Sequence, residues 1–110
     1  MALHELKCWP AYFSAVADGR KRVELRRNDR AYAVGDILRL REWDPRTAHY
    51  TGAWALAHVL HVLDDPNGHW LQPGVVALSI TVATVSIPHH APANRLADKL
   101  ARWLDDPSSP

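Results

Sequence analysis

The sequence predicts an α+β domain: a small mixed β-barrel with an N-terminal helix set against its mouth and an extra C-terminal helix. Three observations carry that expectation. Short alternating segments recur between Gly, Asp and Pro turns, the pattern of strands. A single helix-period stretch interrupts them early, and a second one follows them at the end of the chain. With 110 residues, 47% of them hydrophobic and 23% charged, the chain can bury one core without a disulfide or a structural metal.

Leu3 to Lys7 alternates and reads as the first strand, with His4, Leu6 and Cys8 on one side and Glu5 and Lys7 on the other. Pro10 suits the first turn of a helix, Trp9, Phe13 and Val16 recur at helical spacing, and Gly19 suits the left-handed position past its end. Trp9 and Phe13 are expected in the core. The stretch Gly19 to Arg30 then packs six of the 13 lysines and arginines into 12 positions, yet carries Val23 and Leu25 at alternate positions. Period-two geometry predicts a charged strand whose Val23 and Leu25 enter the core while Arg22, Glu24, Arg26 and Asn28 stand on the opposite surface.

Asn28-Asp29-Arg30 and Val34-Gly35-Asp36 carry turn-forming residues. Ile37 to Trp43 reads as a strand in which Leu38 and Leu40 oppose Arg39, Arg41 and Trp43. Asp44-Pro45 ends it, and Thr51-Gly52 closes a hairpin-like excursion before Ala53 to Leu63 returns as the next strand. Asp64 to Gly68 is a loop. Val75 to Ile87 is expected to be the longest strand and to bend across two sheet segments. Pro88 to Pro92 reads as a linker. Leu96, Leu100, Trp103 and Leu104 predict an amphipathic helix over residues 94–105, followed by a frayed tail. The domain thus spans 1–88, with linker, helix and tail in 89–110. The helix is expected to pack on its own barrel, leaving a monomer, with a weak homodimer contact as the alternative.

The formal net charge of +1 conceals an asymmetry, because the first 46 residues carry a net +3 and the remainder a net −2. Local basic charge on a near-neutral domain suits a confined anionic ligand such as a nucleotide or a short RNA segment. The lone Cys8 excludes an internal disulfide and favours a reducing compartment. No leader is visible and no apolar run approaches the ~20 residues of a membrane span, so a soluble cytoplasmic protein with no membrane partner is expected. Of the seven histidines, His58 and His61 alternate faces of a strand and His89-His90 is flanked by prolines, without a carboxylate or thiol at ligand spacing. Neither a metal nor a cofactor is expected. A nucleophile elbow and a phosphate-binding glycine loop are both lacking.

The segment Gly19-x-Lys21-x-x-Glu24-x-Arg26 resembles the G-x-K-x-x-E-x-R signature of the ASCH domain, a branch of the PUA-like superfamily. His4-Glu5-Leu6-Lys7, Trp9-Pro10, Phe13, Glu24 to Arg30, Val34 to Leu38, Leu40 to Asp44, Tyr50-Thr51-Gly52 and Pro73 to Ser79 are similar, in order, to the DUF3850 branch of that group. The similarity covers roughly residues 3 to 80 and leaves out the C-terminal helix. It implies a PUA-like pseudo-barrel with a cleft beside the signature strand, and a role in RNA binding. Some ASCH relatives hydrolyse acetylated cytidine and others are linked to RNA cleavage. In the amidohydrolase branch a threonine nucleophile stands where this chain has Glu24, so that mechanism loses its hydroxyl.

These residues define the candidate site. Arg26 offers a planar fork of donors for a phosphate or a base edge, and Lys7 and Lys21 supply compact charges at the two ends of the cleft. Glu24 can orient Arg26, accept a base amino group, or act as general base. The structural alternative is a Glu24–Arg26 ion pair that ties the strand to its neighbour. Arg30 joins the binding set, Asn28 and Asp29 read as turn chemistry, and Trp43 and Tyr32 are candidates to stack on a base. An RNA- or nucleotide-binding module is favoured. A small hydrolase or ribonuclease with Lys21 and Glu24 as its catalytic pair is the alternative, and a protein-interaction domain using the C-terminal helix comes third.

Overall fold

The structure, a computed structural model, describes residues 1–88. The expected helix over 94–105, its dimer or docking role and the tail lie outside the described residues. Within them the chain forms β1 (Leu3–Cys8), α1 (Pro10–Ala17), β2 (Val23–Arg27), β3 (Ile37–Asp44), β4 (His49–Asp64) and β5 (Val75–Ser86). No helix among the described residues is long and apolar enough to cross a membrane.

The strands form one mixed sheet in the order β1-β3-β4-β5-β2, curled into a half-barrel. β1 runs parallel to β3 and every other neighbour is antiparallel. The first two strands of the sequence therefore become the two edges of the sheet. Inward-facing residues follow the expected alternation on β1, where His4, Leu6 and Cys8 are buried, and on β3, where Leu38 and Leu40 are fully enclosed. The central strand β4 contributes Ala53, Ala55 and Ala57, and these small side chains leave room for α1, which packs Phe13 and Val16 into the same core. Val76, Leu78 and Ile80 of β5 complete it.

Local chemistry sets the ends of α1. Pro10 opens it, where a missing N–H costs nothing. The chain leaves through Gly19, whose φ of 80° is open to glycine without strain. Two further bonds fold the chain back onto the last turn: the Gly19 amide donates to the Val16 carbonyl (3.0 Å) and the Lys21 amide to the Ala15 carbonyl (2.9 Å). Lys21 is thereby delivered to a fixed place beside the helix.

Four expectations need correction. Trp9 is 55% exposed and outside the core, because as the cap residue it precedes the helix in extended conformation. Tyr32 is buried against His4, ring centroids 4.8 Å apart, so it is not an open stacking surface. The hairpin turns at Pro45–Ala48, where Ala48 takes a positive φ and its amide bonds to the Asp44 carbonyl (2.9 Å). Thr51-Gly52 instead lies inside β4, where Thr51, Gly52 and Ala53 bulge opposite Glu42, and the Thr51 hydroxyl donates to the buried Glu42 carboxylate at 2.7 Å. β4, at 16 residues, is longer than β5, at 12. The pairing of β5 with β4 slips in register near Leu56/Ala57 and Val59/His61.

One carboxylate anchors the N-terminus. Asp36 accepts from the His4 ring (2.8 Å) and from the amides of Ala2 and Ala33 (3.0 Å each). The bond from His4, with the two amides, holds its carboxyl down at about 2, against an ordinary value of 3.8.

Candidate functional site at the seam of the half-barrel

The site lies where the sheet fails to close. On β2 the inner and outer faces are the reverse of the sequence expectation: Glu24 is 4% exposed, while Val23 and Leu25 are 44% and 58% exposed. Register explains the reversal. Glu24 stands opposite Leu78 and Arg26 opposite Val76, both inward residues of β5, so β2 turns its charged face inward. The burial is tolerated because both carboxylate oxygens are engaged. Oε1 takes the Lys21 ammonium at 2.5 Å and Oε2 takes Arg26 Nε at 2.9 Å.

The cations reach further. Lys21 Nζ also donates to the Val23 carbonyl (2.7 Å). Arg26 Nη2 crosses to the Lys7 carbonyl on β1 (2.7 Å), and Arg30 Nη1 donates to the Glu5 carbonyl (3.0 Å). An edge strand presents a row of unpaired carbonyls. Here two guanidiniums, Arg26 on the opposite edge strand and Arg30 in the segment just after it, satisfy two of them, so side chains close the seam where a closed barrel would have a backbone ladder.

Two clefts flank that seam. The first, about 540 Å³, has Trp9 and Tyr12 on the α1 side, Val23 and Leu25 on the β2 side, and the Lys21–Glu24–Arg26 triad within it. Cys8 also lines it. Burial, with the nearby Glu24 charge adding to it, pushes that thiol up to about 12, so it is a neutral thiol and not a nucleophile. The second cleft, about 350 Å³, shares Lys7 and Arg26 with the first and adds Arg30, Arg41, Tyr50 and Glu5. Arg41 lies 3.8 Å from the Tyr50 ring centre, and Lys7 Nζ lies 4.0 Å above the Trp43 ring. Glu5 is drawn to Arg39 at 2.6 Å, with Arg41 at 4.0 Å.

Of the residues singled out in the sequence, Lys7, Lys21, Glu24 and Arg26 converge on the first cleft. Arg30 joins Lys7 and Arg26 in the second. Trp43 lines neither: the Lys7 ammonium covers it and the Tyr50 ring meets it edge-on at 4.9 Å. Sequence reasoning missed Trp9, Tyr12, Arg41 and Tyr50 as cleft residues. Tyr12 carried a usable signal, since it is a large aromatic off the Trp9/Phe13/Val16 stripe. Arg41 carried another, because it is paired with Lys7 once β1 and β3 run parallel. Among the described residues no three His, Cys, Asp or Glu side chains are placed to hold a metal ion.

Fold and site together define a small α+β domain with a charged cleft at an open sheet seam. The family described as a domain of unknown function, DUF3850, matches residues 3–80, which contain every residue named in both clefts, and the chain belongs to that family. A protein of Escherichia phage P2, described as an uncharacterized 12.9 kDa protein in the GpA 3′ region, is similar at 38% identity over 74 residues. The alignment covers 67% of this chain and 64% of the phage protein.

Proposed function

We propose that this chain is an RNA- or nucleotide-binding module of PUA-like, ASCH type, which binds its ligand in the seam clefts and works in the reducing cytoplasm. The observation that carries this reading is the buried Glu24 holding Lys21 and Arg26 in a cleft with exposed aromatic walls. Stability gives little reason for such a triad, since a buried ion pair is often no better than well-packed apolar residues. Lys7, Lys21 and Arg26 line that cleft with Glu24 as its one carboxylate, which leaves positive charge for a phosphate. Trp9 and Tyr12 are each more than half exposed and offer stacking surfaces of the kind worth about 1–3 kcal/mol per base. The signature Gly19-x-Lys21-x-x-Glu24-x-Arg26 supports the ASCH assignment.

Titration of the intrinsic tryptophan fluorescence with a panel of short RNAs at low salt tests the proposal. Binding is expected to weaken with added salt and in both Lys21→Ala and Arg26→Ala. No binding to any RNA at low salt, or binding indifferent to both substitutions, sinks it.

The 2.5 Å Lys21–Glu24 contact beside an open cleft also fits a hydrolase or ribonuclease with Lys21 polarising and Glu24 as base. Turnover of labelled RNA or of a modified nucleoside, lost in Glu24→Gln, would favour that reading. Intact substrates after long incubation would remove it.

A further inference from the structure

We infer that the two clefts are consecutive subsites for one strand, with a nucleotide's base and own phosphate in the aromatic cleft and the next phosphate along the strand in the second, so that the ligand is a single-stranded oligonucleotide and not a free nucleotide. This rests on the nucleotide-binding reading above and specifies its ligand.

The first cleft offers apolar walls for a base together with Lys21 and Arg26 for its phosphate, whereas the second offers cations with little apolar wall, a place for a further phosphate. The first is walled by Trp9, Tyr12, Val23 and Leu25, all 44–58% exposed, a contiguous apolar surface of the sort that marks a binding site on a small domain. The second has only Leu6 and Tyr50 as apolar lining and sets four cations, Lys7, Arg26, Arg30 and Arg41, against Glu5 alone. That carboxylate is already claimed by Arg39 at 2.6 Å, and its distance to Arg41 is 4.0 Å. Arg41 is held against Tyr50, and a stacked guanidinium presents its N–H edge sideways, the geometry that suits a phosphate.

Continuity comes from the two residues the clefts share. Arg26 stands at the boundary as a fixed post, bonded to Glu24 on one side and to the Lys7 carbonyl on the other. Lys7 Nζ is held over Trp43 at the same boundary. A ligand that filled only the first cleft would leave the denser group of cations without an anion. A strand whose next phosphate lies past Arg26 supplies one.

The test measures affinity for uridine and adenosine monophosphates and for the matching tetranucleotides, each at several salt concentrations. The tetranucleotide is expected to bind tighter by about tenfold, the worth of one charge-assisted hydrogen bond. Its salt slope is expected to be steeper by about 0.7 for each further phosphate neutralised. Arg41→Gln and Arg30→Gln, both checked for native circular dichroism, are each expected to erase most of the tetranucleotide's advantage. Equal affinity and equal slope for monophosphate and tetranucleotide overturn the inference and leave the nucleotide-binding reading standing. An advantage that survives in both variants overturns it too, because the phosphate then lies elsewhere. If no ligand in the series binds, the functional reading fails and the inference fails with it.

Discussion

The carboxylate of Glu24 sits 2.5 Å from the Lys21 ammonium, three residues back along the chain, at a strand position that is only 4% exposed. Neutralising that carboxylate leaves Lys21 and Arg26 facing each other without a counter-charge. Glu24→Gln is therefore expected to lower stability by about 1–3 kcal/mol, less than for a fully enclosed pair because both cations keep some solvent. Urea unfolding checks it: the midpoint should fall while the m-value holds.

The reversed faces of β2 make a sharp comparison. Leu25 is 58% exposed and Leu38 is fully buried. Leu25→Ala should change stability by no more than about 0.5 kcal/mol, as surface substitutions usually do. Leu38→Ala should cost about 2–5 kcal/mol. Equal losses for the two variants would mean that Leu25 enters the core after all.

Cys8 lines a cleft yet is 3% exposed, with its thiol pushed up to about 12 by burial. At pH 8 the native protein should react with a thiol reagent far more slowly than the urea-unfolded chain. Labelling rates with and without denaturant measure this, and matching rates would contradict the placement of Cys8.

Acid should act through Asp36. Its folded-state value of about 2 lies below the ordinary 3.8, so the stabilisation it provides is complete above about pH 4 and is lost as pH falls towards 2. Asp65, held low by the amides of Leu71 and Trp70, works in the same direction. Asp36→Asn should therefore melt lower than the parent at neutral pH and show a shallower fall in Tm between pH 4 and 2. Melting curves across pH 2–7 test both parts.

Much of the fold was legible because local periodicity and tertiary placement agree. β1 alternates as its burial does, Pro10 and Gly19 mark the limits of α1, and Leu38 and Leu40 point where the pattern says. β2 was misread because two apolar residues outvoted a carboxylate. Period two reports that Glu24 and Leu25 face opposite ways, but not which face is inside. That choice was made by Lys21, three positions before, and Arg26, two positions after, which together let a charge be buried. The Thr51-Gly52 bulge was hidden for a related reason. Its partner is the buried Glu42, and the bond to Thr51 exists only once β3 and β4 are paired. The residues of the signature were visible in order, whereas the cleft walls Trp9 and Tyr12 came together with β2 only through the return of the chain at Gly19.

The guanidinium seam ties the occupancy of the clefts to the integrity of the whole domain. β1 and β2 are the two free ends of a curled sheet, and the cross-bonds described over that gap are two side-chain bonds to β1, from Arg26 on β2 and from Arg30 just beyond it. Any ligand that touches both edges completes the circumference from outside, and it can do so only while the sheet is folded. Its binding energy is then added to the unfolding free energy, about 2.7 kcal/mol at a hundredfold excess over Kd. A thermal-shift screen of the intact chain would thus report seam ligands directly, with no label and whether or not a reaction follows binding.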